Sequence, residues 1–488
     1  MDQSQRKKSP SVFSGLIWRF GERIIAQSVS FIVSLILARL LAPEDYGAIA
    51  IILVFIEIAN VFIISGLTTS LIQKKEVSSL EMSTVFYCNV ALSIVLYLIL
   101  FFSAPLIAQI YSLPILIPAT RVFALQIPIM ALQSYATVVI SRELNFRKFF
   151  FGNIIGTVAS AVVGILMAYK GFGVWALVGQ TLTQVFVSTL VLTVIVGGLP
   201  KLQFSLKSAS PLIRYGWKVL CSEVIASVAN QFSALMIGVR YTTSDLAFYT
   251  KGKQLPHMIR GNLYNTLVSV LFPAMSRVGD DSDAVKKLAK RSVRLLFFVA
   301  CPLMIGLGSV SYNLVLVLYT EKWLPMTPFI WIICIECLLA ILPTISLQAL
   351  KAVGRSDVVL KLEFIKKAQL ILSILIAMRF GVLAIAITLP LNTLFDVLVT
   401  GFCSKKIFGY GTWEQIKDCL PAAAFSVVMF VAVTLLGFLP IPPLPLLILQ
   451  ILCGGICYVA LSAGFKNPEF AYLWQIIRTK FLHREGNK

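Results

Sequence analysis

The chain has 488 residues, 58% of them hydrophobic and 13% charged, with a mean hydropathy of +0.88. A soluble domain carries about 25% charged residues, so this composition excludes an ordinary soluble protein and points to an all-α polytopic membrane protein. The net charge of +20 would suit either nucleic-acid binding or a membrane-orientation bias, and the placement of the bases decides between them.

A membrane-crossing helix needs about 20 predominantly apolar residues, and about fourteen such segments are expected. They lie near 15–41, 46–72, 80–103, 115–140, 149–169, 173–196, 210–238, 245–273, 293–318, 325–349, 358–378, 381–402, 416–438 and 444–464. Arg6, Lys7 and Lys8 precede the first with no small-residue cleavage site, so no signal peptide is expected. Every second connection is basic: Lys74 and Lys75; Arg142, Arg147 and Lys148; Lys201 and Lys207; Lys286, Lys287, Lys290 and Arg291; Lys351, Arg355 and Lys361; Lys405 and Lys406. The tail adds Arg478, Lys480, Arg484 and Lys488, whereas the alternate loops carry about one base each or none. This asymmetry places both termini in the cytoplasm and accounts for the charge without nucleic acid. In the tail, Phe470, Leu473, Trp474, Ile477 and Phe481 follow helical spacing between bases, as in a helix lying on the inner membrane face.

The chain also repeats itself. Phe172-Gly173-Val174-Trp175-Ala176 recurs as Phe380-Gly381-Val382-Leu383-Ala384, and at the same offset Tyr111 meets Tyr319 and Arg147 meets Arg355. Two repeats of six spans share one orientation, so a pseudo-two-fold axis along the membrane normal would relate them, with a substrate site between them. The expected organisation is a lobe at 1–199, a second lobe at 200–402, an extra helix pair at 403–465 and a cytoplasmic tail at 466–488.

One span breaks the apolar pattern. Between Asp245 and Arg277, Tyr249, Lys253, His257, Arg260 and Tyr264 fall on one helical face, and Lys251 lies beside them. A cation at bilayer depth costs about 2.5–3.5 kcal/mol on insertion scales, so these bases are expected to face water, a partner or an anionic cargo. Placement near an interface, or pairing with Glu57 or Glu223, are the plainer readings. Polar residues also line other spans: Arg23, Gln27, Ser30 and Ser34 in the first, Glu57 and Asn60 in the second, and Glu223, Ser227 and Asn230 in the seventh. They suit either a cavity wall or helix–helix hydrogen bonds. Glu57 and Glu223 are the candidate ion-coupling carboxylates. His257 follows Pro256, so a hydrogen bond at a kink competes with a titrating role.

Cys334 and Cys337 have CxxC spacing, but no second pair or histidine cluster supports a metal, and no metal or cofactor is expected. No phosphate loop, HExxH or GxSxG occurs, so no enzyme is expected.

Leu37-Ala38-Arg39-Leu40-Leu41-Ala42-Pro43-Glu44-Asp45-Tyr46-Gly47 resembles the first periplasmic turn of the Wzx-type polysaccharide flippases, in the superfamily that also holds the MATE drug exporters and the lipid II flippases. Gly66-Leu67 with Leu71-Ile72-Gln73-Lys74, the segment Gly171–Leu177, the segment Leu271–Arg277 and Lys322-Trp323-Leu324-Pro325 carry the same resemblance. The branch exporting acidic exopolysaccharides such as colanic or teichuronic acid is the most similar. The resemblance implies two six-helix lobes in a V around a cavity lined by spans 1, 2, 7 and 8. It implies a cargo of undecaprenyl-diphosphate-linked oligosaccharide, turned across the bacterial inner membrane for exopolysaccharide or O-antigen synthesis, whether alone or beside a polysaccharide polymerase. The diphosphate would be held by Lys251, Lys253 and Arg260 with Arg23. Tyr249 and Tyr264 would stack on sugar rings, and His257 and Asn60 would contribute further contacts. An ion-coupled drug exporter is the nearest alternative, although cationic drugs favour acidic or aromatic walls. A membrane scaffold recruiting partners through its basic loops is a third class, with no evident use for Lys253 and Arg260 at depth.

Overall fold

The computed structural model describes residues 27–485 apart from 65–67, 69–70, 72–76 and 144. The described residues are helical almost throughout. In chain order the helices are α1 (Gln27–Leu40), α2 (Pro43–Ile63), α3 (Ser79–Ile110), α4 (Leu116–Phe123), α5 (Gln126–Glu143), α6 (Phe146–Tyr169), α7 (Val174–Val196) and α8 (Leu206–Arg240). They continue as α9 (Thr243–Ser276), α10 (Ser282–Leu318), a 3₁₀ turn at Glu321–Met326, α11 (Thr327–Leu339), α12 (Ile341–Ala352), α13 (Ser356–Ala377), α14 (Val382–Phe408), α15 (Thr412–Leu436), α16 (Pro443–Gly464) and α17 (Pro468–Glu485).

Eleven segments among the described residues are long and apolar enough to cross a membrane. The chain is a multi-pass membrane protein. Two crossings are broken helices, α4 with α5 and the 3₁₀ turn with α11 and α12. Three expected spans fall short for identifiable reasons. α1 is described only from Gln27, α9 carries its cations, and α13 carries Lys361, Glu363, Lys366 and Lys367.

The helix starts explain the sequence motifs. Pro43 opens α2 at a position where its missing N–H is harmless, and Asp45 accepts the Ala42 amide at 3.1 Å. α9 opens in the same way: Asp245 accepts the Thr242 amide at 3.2 Å, while the Thr242 hydroxyl accepts the Asp245 amide at 3.1 Å. The two starts meet, with the Ser244 hydroxyl donating to Glu44 at 2.6 Å. Gly47 lies against the Thr243 backbone, and any Cβ there would collide with it. The internal repeat is a helix-start turn: Gly173 (φ +53°) precedes α7 and Gly381 (φ +116°) precedes α14, both in backbone that L side chains rarely adopt. Gly173 also lies beside the Asp45 carboxylate, which a Cβ would approach to 3.1 Å.

The chain divides into two compact units, Met1–Ala247 and Phe248–Lys488. In the first, α8 packs along α2, and Gly238 lets it approach the Tyr111 ring. In the second, α15 and α16 pack on α10 around Phe298, Cys301, Cys419, Met429 and Tyr458. Polar links join these helices. The Tyr458 hydroxyl donates to the Phe298 carbonyl at 2.8 Å, and Asn313 donates to Gln450 at 2.9 Å. α10 has 37 residues, about 55 Å at 1.5 Å per residue, against a hydrocarbon core of about 30 Å. It begins eleven residues before the expected span at 293, and this extension carries Lys286, Lys287, Lys290 and Arg291.

Candidate functional site

The polar face of α9 is real as geometry: the helix is continuous from Thr243 to Ser276, with Pro256 and Pro273 inside it. Its first half is fixed to the turn at Lys322–Pro325. Phe248 meets Trp323 edge to face at 5.9 Å, and Tyr249 meets Phe329 likewise at 6.0 Å. Gly252 permits this approach, because a Cβ would come within 2.7 Å of Phe329 Cβ.

Beyond this anchor the polar residues link in series. Lys253 is half-buried, with its ammonium 4.9 Å above the Tyr249 ring and 3.5 Å from the Tyr249 hydroxyl. Arg260 makes a 2.8 Å ion pair with Glu336 of α11, whose side chain is only 12% exposed. His257, Glu336 and Cys337 bring one ligand-type atom each within 4.8 Å of one another. Tyr264 accepts a hydrogen bond from Gln348 at 3.4 Å. Tyr264, Arg260 and Cys337 line a cavity of about 20 Å³, enough for one water.

Lys251 lies off this seam, with its ammonium 3.4 Å from Gln254 Oε1. The Tyr249 ring is wholly buried, so it supports Lys253 from below and presents no face to a sugar. The remaining predicted residues belong to the other unit. Glu57 is exposed and accepts a hydrogen bond from Gln231. Asn60 is half-buried, and its Oδ1 has no hydrogen-bond partner among the described residues. Glu223 is exposed on α8, and Arg23 lies outside the described residues.

Glu336 is the site residue that sequence reasoning missed. Its only signal was a lone carboxylate inside an apolar span, between Cys334 and Cys337. His257, Glu336 and Cys337 are the donor types a zinc ion takes. However, Arg260 already neutralises Glu336, so the cluster reads as an ion pair with a neighbouring imidazole and thiol. Chemically, the arrangement is a cationic strip with one of its bases, Arg260, held by the carboxylate of Glu336. An incoming anion could compete with that carboxylate.

Comparisons with known proteins agree with the fold. The chain is 26% identical over 334 residues to the succinoglycan biosynthesis transport protein ExoT of Rhizobium meliloti (strain 1021), covering 68% of this chain and 67% of ExoT. It is 25% identical over 399 residues to the lipopolysaccharide biosynthesis protein WzxC of Escherichia coli (strain K12), covering 80% and 79%. It is 22% identical over 317 residues to the teichuronic acid biosynthesis protein TuaB of Bacillus subtilis (strain 168), covering 61% and 62%. Among solved structures, the lipid II flippase MurJ in its inward closed conformation superposes with a TM-score of 0.76 at 14% identity, over 92% of this chain and 98% of that one. An inward-facing MATE family multidrug transporter gives 0.61 at 12% identity, over 83% and 98%. At these identities the superpositions establish the shared fold. The family described as polysaccharide biosynthesis protein matches residues 36–328. On that match, which spans more than half of the sequence, the chain belongs to the polysaccharide biosynthesis protein family.

Proposed function

We propose that this protein is a flippase that moves undecaprenyl-diphosphate-linked oligosaccharide units from the cytoplasmic to the periplasmic leaflet of a bacterial inner membrane. The single observation that carries the reading is the cationic strip of Lys253 and Arg260 on α9, half-buried in a helix flanked by apolar spans. A lipid-linked sugar cannot cross unaided, because its diphosphate and hydroxyls would lose their water. Bases along a protein wall replace that water while the prenyl tail stays in lipid. The names of ExoT and WzxC, a transport protein and a lipopolysaccharide biosynthesis protein, support this cargo class. In this reading the repeats at 1–199 and 200–402 rock about the cargo, the helices at 403–465 buttress the second repeat, and both termini are cytoplasmic. Lys251, His257 and Tyr264 assist at the strip, and Arg23 and Asn60 contribute from the first repeat. Glu57 and Glu223 carry a coupling ion. A polysaccharide polymerase receives the product. The protein performs no bond chemistry and uses no cofactor.

Flipping of a lipid-diphosphate oligosaccharide in proteoliposomes tests the reading, comparing the intact chain with Lys253→Ala/Arg260→Ala. Because that variant strands Glu336, Lys253→Ala/Arg260→Ala/Glu336→Ala accompanies it. Loss of flipping in both variants, with thermal unfolding retained, supports the strip as the cargo contact. Undiminished flipping makes the bases structural. Movement of organic cations, with no flipping by the intact chain, replaces the reading with a drug exporter.

A further inference from the structure

The basic extension of α10 is not a diffuse solvated face. Lys287, Lys290, Arg291 and Arg294 follow i, i+3, i+4, i+7 spacing, so one helical stripe carries all four. Opposite them lies the start of α17, and between the two helices is a pocket of about 330 Å³, at the small end of the roughly 300–1,000 Å³ typical of ligand sites. Its acids are largely committed. Asp418, only 6% exposed, takes Arg294 at 2.6 Å, Lys290 at 3.6 Å and the Tyr410 hydroxyl at 2.9 Å. Glu469 reaches Arg294 at 4.0 Å.

Lys287 and Arg291 are left over. Both are exposed, and neither has an acidic partner within 4.0 Å among the described residues. Arg291 lies over the Tyr472 ring, its guanidinium carbon 4.3 Å from the centroid, which holds the cation in place without neutralising it. The pocket is therefore lined by two uncompensated cations, one of them held over a ring.

Its depth is set by its surroundings. Just past Arg294, α10 enters a continuous apolar run, which puts the pocket at the rim of the hydrocarbon. On α17, Phe470 and Leu473 pack against the unit core, while Trp474 stacks on Phe470 at 6.1 Å and remains 58% exposed. A half-exposed Trp beside basic residues is the pattern of a membrane interface.

We propose that the pocket between α10 and α17 binds the phosphate headgroup of an anionic phospholipid of the cytoplasmic leaflet, with Lys287 and Arg291 as the phosphate ligands. A membrane lipid fits better than a free anion. The pocket opens where headgroups lie, and the Leu295 side of its wall suits acyl and glycerol contact. This rests on the orientation proposed above and not on the cargo.

The test is binding to the full chain in neutral detergent, read by native mass spectrometry and by thermal shift. The probes are phosphatidylglycerol, phosphatidylcholine and soluble glycerophosphate. Each base near an anionic surface contributes about fivefold in affinity, so Lys287→Gln/Arg291→Gln should weaken phosphatidylglycerol binding by about 25-fold. Lys405→Gln/Lys406→Gln removes equal charge from the exposed end of α14 and should leave binding within about twofold. Phosphatidylcholine and glycerophosphate should produce little shift. Unfolding without lipid checks that each variant is folded, and Tyr472→Leu, which keeps all charges, should weaken binding by disorienting Arg291. Equal phosphatidylglycerol binding by the Lys287/Arg291 variant overturns the proposal, and so does equal loss in the control pair. Glycerophosphate binding as tight as the lipid would make this a soluble-anion site instead.

Discussion

Arg260 and Glu336 are each costly alone and tolerable together, because each removes the other's uncompensated charge. Glu336→Ala should lower stability by about 2 kcal/mol, below the roughly 3–5 kcal/mol of a fully buried pair because Arg260 is 33% exposed. Arg260→Ala/Glu336→Ala should recover most of that loss in thermal unfolding in detergent. Tyr249 divides in the same manner. Tyr249→Phe keeps the edge-to-face contact with Phe329 and loses only the weak link to Lys253, at a cost under about 1 kcal/mol. Tyr249→Ala empties a fully buried site, at about 3–5 kcal/mol. At this scale the sequence was half legible. The spacing of Tyr249, Lys253, His257, Arg260 and Tyr264 specified a face, since helical periodicity is local. It could not specify that Glu336, 76 positions away in another helix, would meet Arg260. Nor did it show that Tyr249 would be covered, because burial depends on which neighbour packs there.

Among the elements, helix starts carry the clearest sequence signatures, and they invite substitution. Gly381→Ala meets no atom within 4 Å, so it registers only the strain of a backbone at φ +116°, ψ 168° that is essentially glycine-only, about 1–3 kcal/mol. Gly173→Ala is strained in a different backbone (φ +53°, ψ −125°) and also crowds the Asp45 carboxylate, so it should destabilise more. Thermal unfolding of the two variants in detergent checks that order. Asp245→Ala removes the reciprocal bond with Thr242 and should cost about 1 kcal/mol, with fraying confined to the first turn of α9 in hydrogen exchange. Hydropathy located the helices well and their interruptions poorly. The break between α4 and α5 and the 3₁₀ turn at Glu321–Met326 lie within or beside apolar runs, where composition carries no boundary. The extension of α10 escaped for the opposite reason, since a basic stretch does not read as part of a membrane helix.

For the molecule as a whole, charge asymmetry makes the broadest prediction. A fluorescent protein fused after Lys488 should fold and fluoresce in the cytoplasm, whereas a periplasmic reporter at the same place should stay inactive. The reverse result would invert the orientation and move the α10–α17 pocket to the other leaflet. The repeated sequence motif raises a question of descent. If one ancestral six-helix unit was duplicated, Gly173 and Gly381 descend from the same glycine, but they have since lived under unequal constraint. The copy at 173 is hemmed in by Asp45, while the copy at 381 has open space around it. Drift should therefore have relaxed the second before the first. Among relatives, glycine should persist at both positions, since each backbone is one that side chains rarely adopt, and any replacement should turn up at the position of Gly381 before that of Gly173.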